Sequence, residues 1–335
     1  MKKLNERIKA LFDSNHVEIK RLLPGYDNTN FVFDVVSDEG CCIVKVAKCI
    51  DNPNNTFWQG LNLLFDLSHG ISIRHQQTTA NYINQHGTIE VPRVLKADAT
   101  SNNVLEAPFV ILEKMTGEPI PQASDLEQRV MQEDENFAIQ LGQHMGSLHL
   151  KRMNYFGTFN EQKYDLNLWP QKLQKAISIL GKSRKALQDP GVQKMLPYYL
   201  AEAAKLKAPQ VSSLIMLDCW PSQFLVSKNH DKFSACIDIE SYVVGPVALE
   251  LTLLELWLGS LGKFKEGYFT VNTLWPEEIE EAREVYRFFL FLLYDCPEQG
   301  LDACIYSNAK FPQADRVRAR LISPRLRPPG YPGLK

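Results

Sequence analysis

Three short apolar segments lie close together in the second half of the chain, and two of them run directly into an aspartate. Residues 214–217, 224–226 and 233–237 are each bounded by turn-forming residues, which is typical of short buried strands. Asp218 follows the first segment and Asp238 follows the third. A carboxylate at the exit from a hydrophobic core is poorly solvated unless it has a partner or a function. The two aspartates therefore indicate a shared site.

Phosphoryl transfer is a reaction that needs this arrangement. One carboxylate accepts the proton of the attacking hydroxyl, and a second carboxylate, with an amide nearby, holds Mg²⁺ against the triphosphate. We assign Asp218 to the first role, and Asp238 and Gln223 to the second. The alternative is that both aspartates only cap turns, which is a common structural role.

The segment LDCWPSQFLV resembles the catalytic loop of the aminoglycoside phosphotransferase and choline kinase-like family. That family typically has H-G-D, then x-x-P-x-N and an apolar run, followed by an I-D-x-E strand. The residues that match this pattern are Asp218, Pro221, Phe224–Val226, Ile237, Asp238 and Glu240. The sequence departs from it at Met216, where the family has His, and at Gln223, where the family has Asn.

The resemblance implies an α+β, bilobal protein-kinase-like fold, with a small antiparallel-sheet N-terminal lobe and a larger, mainly helical C-terminal lobe. Residues 1–115 would bind the nucleotide, and residues 116–322 would carry the catalytic loop and the acceptor site. Residues 323–335 are rich in Pro, Gly and Arg and are expected to form a flexible tail. The implied cofactors are ATP, or another nucleoside triphosphate, and Mg²⁺. The implied reaction transfers the γ-phosphoryl group to a hydroxyl of a small molecule.

Residues 17–47 have the pattern of three antiparallel strands, with Lys45 inside the third. A lysine in the apolar context IVKVA must pair with an anion or reach solvent. In kinase-like folds the lysine of the third strand binds the nucleotide phosphates. The resemblance also places Gly25 and Asn28 in a turn over those phosphates. A lysine that points to water from an edge strand is the alternative.

The next predicted element is a helix over residues 73–86. The family has a glutamate in this helix that pairs with the strand lysine, but the sequence has none there. Gln76 and Gln77 are the nearest replacements, and a neutral amide would hold Lys45 less strongly than a carboxylate.

The strand predicted at residues 108–113 leads into a segment that resembles the hinge between the lobes of a kinase. Backbone groups at such a hinge bind adenine, so the side chains are free to vary. We expect the backbone of Glu113 and Met115 to make these contacts.

The remaining chain is mainly helical in pattern, with helices expected over residues 168–180, 191–206 and 247–258. An apolar stripe at helical spacing ends at His149, which resembles the Leu-His pair of the family. A helix-terminal core residue is the favoured interpretation of this histidine. Glu250 lies in a Gly-Pro-x-x-x-acid pattern where the family has Asp.

Composition excludes several classes of protein. A net charge of −2 gives no general attraction to nucleic acid or to anionic membranes. The charged first residues predict an amphipathic helix that ends near Ser14–Asn15 and not a signal peptide, and no apolar run is long enough to span a bilayer. The seven cysteines form no C-x-x-C pair, which favours reduced thiols and a cytoplasmic location.

The acceptor and the activity leave alternatives open. Between residues 240 and 302 acidic residues outnumber basic ones by twelve to four. This excess would suit a cationic acceptor, such as an amino sugar or an amino alcohol, although a solvated acidic helix face is the favoured interpretation. The departures at Met216 and Gln223, and the missing helix glutamate, leave a second function open: a nucleotide-binding pseudokinase that acts as a regulator.

Overall fold

A computed structural model describes residues 2–22, 29–48, 55–121, 124–131, 135–161, 163–258, 261–295, 301 and 304–305. The strands are β1 (Val17–Leu22), β2 (Asn30–Ser37), β3 (Gly40–Ala47), β4 (Val94–Asp98), β5 (Phe109–Glu113), β6 (Glu118–Pro119), β7 (Tyr155–Phe156), β8 (Tyr164–Asp165), β9 (Ser212–Met216), β10 (Phe224–Val226), β11 (Phe233–Cys236) and β12 (Tyr242–Pro246). The helices are α1 (Lys2–Lys9), α2 (Thr56–Phe65), α3 (His69–His86), α4 (Asp125–Met131), α5 (Glu135–His149), α6 (Trp169–Leu180), α7 (Arg184–Gln188), α8 (Pro190–Lys205), α9 (Val247–Leu258), α10 (Gly262–Phe269) and α11 (Ile279–Leu293).

The N-terminal lobe is built on an antiparallel sheet of five strands in the order β1-β2-β3-β5-β4. The three strands predicted from residues 17–47 are confirmed. Apolar side chains that alternate along β2 and β3 form a small core with Ile8 of α1. The β2–β3 hairpin turns through two residues and continues at Gly40, whose φ of +124° is a conformation that favours glycine.

The N-terminal helix ends at Lys9, several residues before the predicted end near Ser14–Asn15. The hydroxyl oxygen of Ser14 lies 2.7 Å from both the His16 carbonyl and the Asp38 carboxylate, either of which can accept its single hydrogen. These local bonds compete with helical ones and turn the chain into β1.

The C-terminal lobe is mainly helical and surrounds a second, larger hydrophobic core. Every residue of β9 and of its antiparallel partner β12 is buried. Helix α9 is apolar nearly all round and packs beside them, as the sequence predicts. Residues 58–91 also contribute side chains to this core, although they precede β5 in the chain. The predicted bilobal α+β fold is confirmed.

Helix boundaries follow local capping. The side chain of Asp189 accepts the backbone N–H groups of Gly191 and Val192, so α8 begins where the Asp-Pro pair predicts. Helix α3 begins at His69, four residues before the predicted start. Among the residues described, none of the helices combines the length and the apolar character that crossing a membrane requires.

Candidate active site

The catalytic loop brings Asp218 and Gln223 into contact. Strand β9 ends at Met216, and a single 3₁₀ turn over Pro221–Gln223 returns the chain into β10. The Gln223 amide Nε2 donates to Asp218 Oδ2 at 3.1 Å. The other oxygen, Asp218 Oδ1, is buried and has no hydrogen-bond partner among the described residues. An oxygen in this state is available to accept a proton from a bound molecule.

The surroundings of Asp218 raise its pKa to about 7. Burial is the main cause, because it disfavours the charged carboxylate, and the nearby charge of Asp238 adds to it. The Gln223 amide and the Trp220 backbone N–H act in the opposite direction, since they stabilise the charged form. A carboxyl group with a pKa near neutrality suits general base catalysis.

Asp238 is placed beside this loop by the pairing of β10 with β11. The two strands are antiparallel, and the backbone N–H of Ile237 donates to the Gln223 carbonyl at 2.8 Å. Asp238 is the next residue, and it lies close enough to Asp218 for its charge to raise the pKa of that residue. The structure therefore brings together the proton acceptor and the two metal ligands that the sequence predicts.

Lys45 reaches the same site from the N-terminal lobe. Its Nζ lies 3.1 Å from Asp238 Oδ1 and 3.2 Å from Glu240 Oε1, and the lysine is buried. Burial alone would lower the pKa of Lys45, but the two carboxylates outweigh this effect and raise it. The alternative of a lysine that points to water is therefore wrong. Lys45 is a charged group held at the junction of the two lobes.

Glu240 is the centre of a buried polar network that sequence reasoning missed. Asn30 donates through Nδ2 to both of its carboxylate oxygens at 3.0 Å, and His69 Nε2 lies 3.0 Å from Oε2. The hydroxyl of Ser72 donates to the Glu240 backbone carbonyl at 2.7 Å. Burial would raise the pKa of Glu240, but Lys45 and His69 hold it below its usual value. The only signal in the sequence was the glutamate of the I-D-x-E pattern.

The predicted replacements for the helix glutamate do not bind Lys45. Gln76 is buried, and neither atom of its side-chain amide has a hydrogen-bond partner among the described residues. Gln77 is exposed. In their place Glu240 supplies a carboxylate from the C-terminal lobe, and α3 holds this residue through His69 at the carboxylate and Ser72 at the backbone carbonyl. This explains why α3 begins earlier than predicted.

Glu250 binds the backbone that leads into the catalytic loop. It lies in the first turn of α9, is fully buried, and accepts the backbone N–H of Met216 through Oε1. His149 Nε2 lies 2.9 Å from Glu250 Oε2, and His149 Nδ1 lies 3.2 Å from the Tyr268 hydroxyl. His149 is thus a core residue at the end of α5, as favoured above. The backbone before Asp218 is anchored although the family histidine is absent.

We expect Glu250→Ala to lower the free energy of unfolding by about 3 kcal/mol, because it leaves buried polar groups of Met216 and His149 without their partner. Glu250→Gln keeps an acceptor oxygen and should cost less than half as much. Urea unfolding of both variants measures the difference. Equal stability of native protein and Glu250→Ala would contradict an anchoring role.

The other residues predicted to contact the nucleotide lie in separate parts of the chain. Gly25 and Asn28 lie outside the described residues. Glu113 ends β5, and its backbone N–H donates to the Arg93 carbonyl at 2.9 Å, so this N–H is engaged within the sheet. Met115 lies in the segment without regular structure between β5 and β6.

A two-lobed fold in which a strand lysine contacts carboxylates at the ends of C-terminal-lobe strands defines the class of kinase-like phosphotransferases. A model of the phosphotransferase enzyme family matches residues 18–284. The chain belongs to that family, whose members are kinases that act on hydroxyl groups.

Several solved structures share the fold. One is the macrolide 2'-phosphotransferase MphH from Brachybacterium faecium, with a TM-score of 0.50 and 12% identity, over 91% of this chain and 97% of that one. Aminoglycoside phosphotransferase APH(4)-Ia gives 0.52 and 15%, over 95% and 97%. ADP-bound aminoglycoside phosphotransferase APH(2'')-Ib gives 0.51 and 13%, over 93% and 97%. A comparison with curated protein sequences gave no match.

Proposed function

We propose that the protein transfers the γ-phosphoryl group of ATP to a hydroxyl of a small molecule, with Asp218 as the base and Asp238 and Gln223 as ligands of Mg²⁺. One observation carries this proposal: Asp218 has an unpartnered buried oxygen and a pKa of about 7, contacts Gln223, and is close enough to Asp238 for that charge to raise its pKa. A base in this state accepts the hydroxyl proton as the oxygen attacks phosphorus.

Lys45 is proposed to bind the nucleotide phosphates. Its ammonium group bridges Asp238 and Glu240, so it is already fixed at the junction where a triphosphate would lie. Gly25 and Asn28 are proposed to cover the phosphates, and the backbone of Glu113 and Met115 to bind adenine. The ADP bound to a relative of the same fold supports a nucleotide at this junction.

The residues present fit a magnesium ion. The Gln223 amide nitrogen is engaged by Asp218, which leaves the amide oxygen as the atom available to a metal. A carboxylate oxygen and an amide oxygen are ligands that Mg²⁺ accepts, and water and phosphate oxygens usually complete its octahedron. Consistent with so few protein ligands, the described residues contain no group of three or more His, Cys, Asp or Glu that could hold a metal alone. When bound, the ion would neutralise charge on the transferred phosphoryl group.

Two replacements of Gln223 distinguish the contribution of its amide group to metal binding from the contribution of its size. Gln223→Asn keeps the amide oxygen and is expected to retain most of the Mg²⁺-dependent affinity for ATP. Gln223→Leu has no oxygen ligand and should lose at least about tenfold. Calorimetric titration with ATP, in Mg²⁺ and in chelator, measures both variants. Equal affinity of the native protein in the two buffers would exclude a magnesium site.

The alternative function is a nucleotide-binding regulator without catalysis, suggested by Met216, by Gln223 and by the missing helix glutamate. The structure weakens each of these objections, because Glu250 anchors the loop, Gln223 retains an amide and Glu240 pairs with Lys45. ATP consumption across a panel of amino sugars, amino alcohols, macrolides and other hydroxylated molecules decides between the two functions. ATP binding without transfer to any of them would favour the regulator.

Among the described residues, several carboxylates of the acidic excess in the C-terminal lobe are paired within the protein. For example, Glu255 contacts Arg283 and Arg287, and Asp295 contacts Lys185. A cationic acceptor therefore stays a prediction that rests on composition alone, and so does the cytoplasmic location.

A further inference from the structure

A continuous band of aromatic rings borders the catalytic loop. The ring of Trp220 lies 3.8 Å from that of Trp257 and 6.4 Å from that of Tyr294, measured between centroids. Tyr294 in turn lies 5.8 Å from Phe57 at the start of α2. Trp220 is 42% exposed, and the other three rings are partly exposed. A tryptophan this exposed, with two other rings beside it, is a surface that favours binding.

The band is attached to the residues that perform the proposed chemistry. Trp220 is two residues beyond Asp218, and its backbone N–H stabilises the Asp218 carboxylate. The Tyr294 hydroxyl donates to the Leu217 carbonyl, immediately before Asp218. A molecule bound on these rings would therefore lie close to Asp218, the proposed base.

The charges around the band indicate what kind of molecule it binds. Asp218 itself is needed as the base, and three carboxylates of the nearby elements α9 and α11 are paired with arginine or histidine: Glu250, Glu255 and Glu280. Asp295, beside Tyr294, is paired with Lys185. The binding surface beside the loop is thus supplied mainly by aromatic rings.

We propose that Trp220, Trp257 and Tyr294 form the acceptor-binding wall, and that the acceptor presents an extended apolar face, such as an aryl group or a macrocycle, next to its reactive hydroxyl. This rests on the proposed function, because it names the acceptor of the same site. A compact ammonium group is a poorer match. The rings follow one another from Trp257 through Trp220 to Tyr294, whereas a small cation is held best by rings that surround it.

Equilibrium binding tests the wall without requiring turnover. The probes are neutral aryl glycosides, with 4-nitrophenyl β-glucopyranoside as the first, paired with the methyl glycosides of the same sugars. Each is titrated calorimetrically into the native protein in the presence of ADP and Mg²⁺. At least one aryl glycoside should bind about tenfold more tightly than its methyl partner, because only the aryl group can stack on the rings.

Three variants identify the residue responsible. Trp220→Ala should remove that tenfold preference, and Trp220→Phe should restore most of it. Phe269→Ala, which removes a ring of similar exposure on α10, is the control and should leave the preference unchanged. The affinity should change less than twofold between low and high salt, because no ion pair is involved.

The proposal is overturned if no aryl glycoside is preferred over its methyl partner, or if Trp220→Ala retains the preference. It is also overturned if kanamycin or choline binds more tightly than every aryl glycoside and does so independently of Trp220. Transfer of phosphate is measured in a separate assay. Trp220-dependent binding without transfer to any acceptor of the panel would favour the regulator function and leave the aromatic site in place.

Discussion

Asp218→Asn is expected to lower turnover by about 100- to 10,000-fold while the affinity for ATP stays within about twofold of native. Asparagine keeps the size of the side chain but cannot accept the hydroxyl proton. In the proposed function other residues hold the nucleotide and the metal, so ATP binding should persist. The measurement is steady-state transfer to the best acceptor of the panel, together with calorimetric ATP titration.

The pH dependence provides a second test of the same residue. The pKa of Asp218 is raised to about 7, so the carboxyl is mostly protonated, and inactive as a base, below that pH. The native kcat/KM for ATP, which reports the free enzyme, should therefore rise with pH through about 7. Asp218→Asn should lose this rise.

An aspartate in an exposed turn serves as the matched control. Asp231 is exposed and bonds only to Ser227 among the contacts described for it. Asp231→Asn should keep native turnover. If Asp218→Asn also turned over at the native rate, Asp218 would have a structural role only.

Lys45→Met is expected to damage both stability and nucleotide binding. Methionine fills a similar volume but leaves the carboxylates of Asp238 and Glu240 without their cation. Loss of one partner from a buried ion pair typically costs about 3 kcal/mol or more. We therefore expect a loss of about 3 kcal/mol in urea unfolding at neutral pH, and little detectable ATP affinity in the variant that remains folded.

The stability difference should depend on pH in a defined direction. Lys45 helps to hold the pKa of Glu240 below its ordinary value of 4.5, so this stabilisation is present above that value and is lost as the pH falls below it. The difference in free energy of unfolding between the native protein and Lys45→Met should therefore become smaller at acidic pH. Lys205→Met, which removes an exposed pair with Glu202, should cost less than about 1 kcal/mol. A folded Lys45→Met variant with native ATP affinity would exclude the phosphate role.

Much of the fold was predictable because its signals are local. Strands β2, β3 and β10 follow from short apolar or alternating runs between turn residues, and α9 follows from an apolar run without interruption. The first helix was predicted too long, because the hydroxyl bonds of Ser14 depend on Asp38, a residue in a later turn.

The catalytic loop was also readable from the chain alone, since Asp218 and Gln223 are only five residues apart and one turn brings them together. Asp238 follows from the same hairpin, because β10 and β11 are neighbours in sequence. Proximity between residues this close in sequence is fixed by backbone geometry, so it can be predicted without knowing the rest of the fold.

The partners of these residues were decided only by the tertiary structure. Lys45 meets Glu240 across 195 residues of chain, Asn30 across 210 and His69 across 171. The sequence determined that Lys45 needs an anion, because a buried ammonium group must be paired. Which carboxylate satisfies it depends on how the two lobes pack, and here a glutamate of the C-terminal lobe lies close enough to replace the one that α3 lacks.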